Sequence, residues 1–241
     1  MPNDLRTRAF VTVFIGLVAV AGVAALARFA LPLSAAFPLK AAACFAVVGG
    51  IALARLSEAN HPFATFGQAN QVTTARAIFV ALVVGVIGEP ADPMIAAGAA
   101  AAALAVVMMD GVDGWLARRS LMPSAFGARF DMEVDALLIL ALSVLAFTLG
   151  KAGAWVMLSG LMRYVFVAAG WTWPWMERPL IPSRRRQTVC VIQIVALIVI
   201  IEPMVTRSLS ELIAAFALGM LGVSFFVDTW WLVLHRREEM A

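Results

Sequence analysis

The sequence predicts an all-α integral membrane fold of about eight transmembrane helices, on three observations. Hydrophobic residues make up 63% of the 241 residues and charged residues only 14%, against about 25% charged in ordinary globular chains. The apolar residues gather into eight long runs, and a spanning helix needs about 20 of them. No stretch alternates apolar and polar residues as the strands of a membrane barrel do, and no internal repeat is seen. A soluble domain of this size could not hide so much apolar surface, so lipid is the solvent for most of the chain.

Each run has its own punctuation. The first, about 9–27, follows Arg6 and Arg8 as a signal peptide's apolar region would. It exceeds the ~7–15 residues of such a region and more spans follow, so it is read as a retained helix. The second, about 36–54, begins after Pro32, and the third, about 71–88, ends at Glu89-Pro90. The fourth, about 94–117, starts at Pro93, and a short connection containing Pro123 leads to the fifth, about 128–149. Gly150 separates the fifth from the sixth, about 152–171. Trp171, Trp173 and Trp175 then read as an interfacial belt. Pro179 and Pro182 precede the seventh run, about 188–204, and the eighth spans about 211–234. Cys44 and Cys190 sit inside apolar runs as small hydrophobes, with no call for a disulfide. His61 and His235 fall at span ends and read as interfacial.

The net charge of +3 and pI near 9.4 do not point to nucleic acid, because the basic residues lie between apolar runs rather than along a polar face. With a cytoplasmic N-terminus and eight crossings, twelve of the eighteen basic residues fall on the cytoplasmic side and four (Arg28, Lys40, Lys151, Arg207) on the other. That is a positive-inside bias. It places both termini in the cytoplasm of a multi-pass inner-membrane protein, and the longer polar connections, where chemistry is expected, on the same side.

Five of the fifteen acidic residues lie between positions 110 and 135. Asp110 and Asp113 are three apart, Asp131 and Asp135 four apart, and such spacings share a helix face. The two pairs close adjacent spans across a short loop, so all four carboxylates can meet in one pocket near the headgroups. A carboxylate at mid-membrane costs ~2.5–3.5 kcal/mol on insertion scales. Bound divalent cations would offset that cost and the mutual repulsion, and an oxygen-only ligand set favours Mg²⁺, then Mn²⁺. Gly114 and Gly127 leave backbone uncovered beside this pocket, while Ala117 and Arg118 offer a small wall and a phosphate-reaching cation.

The stretch Asp110-Gly-Val-Asp113-Gly114-Trp-Leu-Ala117-Arg118, followed by Gly127-Ala-Arg-Phe-Asp131-Met-Glu-Val-Asp135, resembles the signature of the CDP-alcohol phosphotransferase (CDP-alcohol phosphatidyltransferase) family. That pattern is D-x-x-D-G-x-x-A-R, a spacer, then G-x-x-x-D-x-x-x-D. The stretch Asn70-x-Val-Thr73-x-x-Arg76 is similar to the one that opens the core in phosphatidylglycerophosphate-synthase-like members, although Asn70 and Thr73 are also ordinary helix-capping types. The resemblance implies a six-helix catalytic core over 70–241, with residues 1–69 supplying two additional N-terminal spans and a cytoplasmic connector. It implies transfer of a phosphatidyl group from a CDP-activated lipid such as CDP-diacylglycerol to an alcohol, with release of CMP, in phospholipid biosynthesis.

The same resemblance implies roles for single residues. Asp110, Asp113 and Asp131 would hold two divalent cations, with Asp135 joining them or acting as the catalytic base. Asp110, Gly114, Ala117, Arg118 and Gly127, together with Asn70, Thr73 and Arg76, would line the site of the CDP moiety. Arginine forks suit phosphate, so Arg163, within a span, and Arg184, Arg185 and Arg186 are the candidate acceptor contacts, and glycerol 3-phosphate is the first acceptor to consider. The cluster has a plainer reading as a topology signal and anionic-lipid contact. The expected partners are the lipid donor, a small or phosphorylated alcohol, membrane lipids and, by resemblance, a second copy in a homodimer. A rival class is an ion-coupled transporter using intramembrane carboxylates, but no paired halves with broken helices support it. It also leaves the Gly114, Ala117, Arg118 and Gly127 spacing unexplained.

Overall fold

The computed structural model describes residues 3–120, 122–178, 180 and 183–235, without the side chains of residues 3, 112–120 and 177. Among the described residues there are eight α-helices, two short 3-10 turns and no strand. Six of the helices are long and apolar enough to cross a membrane, α5 and α7 being the two that are not. The difference from the eight expected spans has a simple cause. α5 (Ala125–Thr148) carries Arg129, Asp131, Glu133 and Asp135, and α7 (Arg184–Ile201) opens on three arginines. Both helices that fall short on apolarity carry candidate site residues near their N-termini. The protein is an all-α, multi-pass membrane protein.

The chain divides into two compact units, 1–141 and 142–241, with the boundary inside α5. In the first unit α1 (Asn3–Ala30) packs on α2 (Phe37–Arg55) and α3 (Gln68–Val86), and α3 packs on α4 (Pro93–Ser120). Between membrane helices there is little hydrophobic drive to associate, so close packing at small residues holds them together. A Cβ at Gly16 would lie 2.4 Å from the Phe45 ring, and one at Gly49 would lie 2.5 Å from Val13. Gly85 of α3 likewise admits Phe37, leaving 2.9 Å to a would-be Cβ. α3 is the most enclosed helix of the unit, with Asn70, Thr73, Thr74, Arg76, Ala77 and Val80 all buried.

Local chemistry sets the helix starts. Asp92 accepts the amides of Met94 and Ile95 at 2.7 and 3.3 Å, capping α4 ahead of Pro93 at its first position. Gly67, at φ +80°, makes the left-handed turn into α3 that a larger residue would resist. Ser124 precedes α5, and its hydroxyl accepts the Gly127 amide at 3.0 Å, three residues on.

In the second unit the end of α5 leads through a 3-10 turn (Ala154–Met157) to α6 (Leu158–Thr172). A further 3-10 turn (Pro174–Glu177) precedes α7, which packs on α8 (Arg207–His235). Gln193 is fully buried at the centre of α7. Neither Cys44 nor Cys190 forms a disulfide.

Candidate active site

The site of the first unit is built on α3, α4 and the start of α5. On α3, Asn70, Thr73 and Arg76 recur every third residue along one buried face. On α5, Gly127, Asp131 and Asp135 recur every fourth residue along the face that meets it. Gly127 lies against Asn70: a Cβ there would stand 2.8 Å from the Asn70 amide oxygen. One to two turns further, Arg76 meets the acids.

Arg76 is 1% exposed, an expensive position for an arginine in a membrane protein unless it is paired. Its guanidinium lies 3.1 Å from Asp110 and donates to Asp131 through one terminal nitrogen and to Asp135 through the other. One carboxylate oxygen from each of Asp110, Asp131 and Asp135 can be chosen so that all three lie within 4.8 Å of one another. Their side chains keep 39, 37 and 20% of their surface open, so the cluster faces an accessible space while its counter-cation lies behind it. Among the described side chains, three carboxylates meet one guanidinium. The donor set is all oxygen and rich in acid, so the residues present fit a hard divalent cation.

The structure brings together Asn70, Thr73, Arg76, Asp110, Gly127, Asp131 and Asp135 of the sequence candidates. Asn70 and Thr73 spend their donors locally, Nδ2 on the Phe66 carbonyl in the turn before α3 at 2.6 Å and Oγ1 on the Ala69 carbonyl at 3.1 Å. Both are buried. Asp113, Gly114, Ala117 and Arg118 lie on the last turns of α4, and their side chains fall outside the described residues.

The arginine candidates belong to the second unit. Arg185 donates to the Ser224 carbonyl and hydroxyl at 2.6 and 2.8 Å and to Asp228 at 2.5 Å. Arg186 lies 3.7 Å from Asp228, Arg184 is exposed and Arg163 is half-buried on α6. Asp228 is therefore the acidic partner of Arg185 and Arg186.

Sequence reasoning missed His61. It follows the end of a span, as read, but it is 1% exposed, in the connector between α2 and α3, hydrogen-bonded to Ser124 and Thr65. The Phe-rich surroundings, Phe63, Phe66 and Phe126, were the available signal.

No curated protein and no solved structure matches the chain significantly. The family model of CDP-alcohol phosphatidyltransferase matches residues 66–230, from the turn before α3 to near the end of α8. Members of this family are transferases of substituted phosphate groups and generally use a divalent metal. With more than half of its length matched, the chain belongs to the CDP-alcohol phosphatidyltransferase family.

Proposed function

We propose that the protein transfers a phosphatidyl group from CDP-diacylglycerol to an alcohol, with glycerol 3-phosphate the first acceptor to test, and releases CMP. The observation that carries the reading is the convergence of Asp110, Asp131 and Asp135 on a single buried guanidinium, with an open side toward which ligand can approach. Asp113, one turn beyond Asp110 on α4, is assigned to the same cluster from the sequence pattern.

Asp110, Asp113, Asp131 and Asp135 would hold the divalent ions, Mg²⁺ or Mn²⁺. Such ions supply charge neutralisation for the donor's diphosphate and for the oxygens that enter and leave. The protein's own contribution is positional. Arg76 holds three carboxylates at a fixed spacing from behind. Asp135, the least exposed of the three, accepts the proton of the acceptor hydroxyl. That oxygen bonds to the lipid-bearing phosphorus, the bond to the bridging oxygen breaks, and CMP departs with the bond's electron pair. Gly114, Ala117, Arg118 and Gly127 are assigned to the CDP moiety.

We assign catalysis to 70–241 and treat 1–69 as an N-terminal addition. The positive-inside bias supports a cytoplasmic site. Arg163 and Arg184, Arg185 and Arg186 are assigned to the acceptor's phosphate on sequence grounds, and a homodimer rests on the family resemblance alone.

The test is CMP release from CDP-diacylglycerol by the purified protein, with and without Mg²⁺, and with individual acceptors. Asp113→Ala should abolish release. Asp135→Asn should lower turnover by about 10²-fold or more while donor binding persists. Turnover near the parental rate in Asp135→Asn removes the base assignment, and metal-independent turnover removes the whole reading.

A further inference from the structure

His61 is buried beside the site, and the proposed chemistry gives it no role. Its ring is flanked by Phe63 and Phe126 at centroid distances of 5.5 and 5.9 Å. Nε2 lies 2.9 Å from the Thr65 carbonyl. A carbonyl only accepts, so Nε2 carries the ring hydrogen. Nδ1, 3.0 Å from the Ser124 oxygen, is then the acceptor of the serine hydroxyl hydrogen. The same oxygen accepts the Gly127 amide at 3.0 Å, which makes Ser124 the N-cap of α5. A second tie joins the two segments, the Phe126 amide donating to the Asn60 carbonyl at 3.0 Å.

Gly127, Asp131 and Asp135 follow one another at four-residue intervals on α5. A shift or rotation of the first turn therefore carries both carboxylates with it. A serine cap by itself leaves the hydroxyl free to turn among several partners. His61, immobilised by Thr65 and the phenylalanines, removes that freedom. Asn60 anchors the connector in turn, its side chain donating to the Arg55 carbonyl at 2.7 Å and accepting the Ser57 amide at 3.0 Å.

We propose that His61 is a positioning residue for the transferase reaction: through Ser124 it fixes the first turn of α5 and thereby the register in which Asp131 and Asp135 face Arg76. The inference rests on the reading of those aspartates as the reactive carboxylates. Metal occupancy then depends on a residue that touches neither metal nor substrate.

The experiment measures CMP release from CDP-diacylglycerol by the full chain in detergent, as a function of Mg²⁺ concentration. His61→Phe keeps an aromatic ring in the cluster and removes both hydrogen bonds. It should lower kcat by about 10-fold or more and raise the half-saturating Mg²⁺ concentration. His61→Gln, whose amide offers one donor and one acceptor, should return kcat to within about 3-fold of the parent. Ser124→Ala should reproduce the loss, and the double variant should lose no more than the worse single one, because both break one chain of contacts. A residue that merely stabilises the fold would lower the active fraction at an unchanged Mg²⁺ midpoint. An unchanged kcat and Mg²⁺ midpoint in His61→Phe overturns the proposal, as does a double variant whose loss is the product of the two. If His61→Phe does not yield folded protein, parental kinetics in Ser124→Ala overturn it equally. Asp131→Asn separates the two levels. Turnover in that variant defeats the assignment of the carboxylates, whereas its inactivity beside an unaffected His61→Phe defeats only the role of His61.

Discussion

Arg76 shows how one residue sets the electrostatics of the site. Removing a single partner from a buried ionic cluster costs about 3–5 kcal/mol, because the remaining charges are left uncompensated. Arg76→Leu should therefore destabilise the metal-free protein by roughly that amount, read as a lower melting temperature in chelator. Added Mg²⁺ should recover more stability in the variant than in the parent, since it then opposes three carboxylates with no arginine among them. Equal Mg²⁺ responses would mean the guanidinium and the ion do not share those carboxylates. Gly127 is a second such residue. An alanine there would place its Cβ 2.8 Å from the Asn70 amide oxygen and 3.2 Å from the Ser124 hydroxyl. Asn70 is 5% exposed and bonded to Phe66, so it has little room to yield. Gly127→Ala should cost about 1–3 kcal/mol in a thermal melt, and Asn70→Ala in the same chain should return part of it. The glycine was legible as a pocket position, but its neighbour was not, because 57 residues of chain separate two atoms that only helix packing brings together.

Among the elements, the connections between helices are held by side chains that sequence reading treated as background. The chain has two lysines, Lys40 and Lys151, and each ammonium closes a loop. Lys151 donates to the carbonyls of Glu202 and Val205, both at 2.7 Å, at the turn between α7 and α8. Lys40 donates to the Ile87 carbonyl at 2.9 Å and to Glu89 at 2.5 Å, and Glu89 also accepts from the amide and hydroxyl of Ser34 at 2.6 and 2.8 Å. Glu89 thus ties the loop after α3 to α2 and to the loop before it. Burial alone would push the Glu89 carboxyl up, but the hydrogen bonds from Lys40 and Ser34 and the Lys40 charge outweigh it and hold the group below the ordinary carboxylate range. A depressed folded-state value means that this stabilisation is fully present above the unfolded glutamate's pKa of about 4.3. It is lost as the pH falls through the lower folded value. Glu89→Gln should lower stability by about 1–2 kcal/mol at neutral pH and flatten the acid limb of a melting-temperature profile. A parental acid limb in the variant would assign the pH dependence elsewhere.

For the whole molecule, metal binding is a folding event as well as a catalytic one. The carboxylate cluster exists only when α3, α4 and α5 are in place, so an ion that binds there binds the folded chain and not the unfolded one. Stability should then rise with Mg²⁺ by about 2.7 kcal/mol at a hundredfold excess over the dissociation constant. Melting curves in detergent, with chelator and with increasing Mg²⁺, measure this directly. A melting temperature indifferent to Mg²⁺ but sensitive to Asp131→Asn would make the cluster structural and metal-free.

Hydropathy and spacing by themselves determined that the chain is helical and lives in lipid, where its helices begin and end to within about six residues, and that Asp131 and Asp135 share a face. These are local properties: an apolar run, a cap, a period of three or four. The charges that set α5 and α7 apart from simple apolar spans are local too, and the tertiary structure decided what those charges meet. It alone brought Arg76 behind Asp110, Asp131 and Asp135, set Gly127 against Asn70, and buried His61 under the cap of α5. Those outcomes depend on contacts between residues 34 to 63 positions apart, and no local period encodes which face of one helix another will choose. Side-chain volume at the helix crossings and the need to pair a buried charge make that choice.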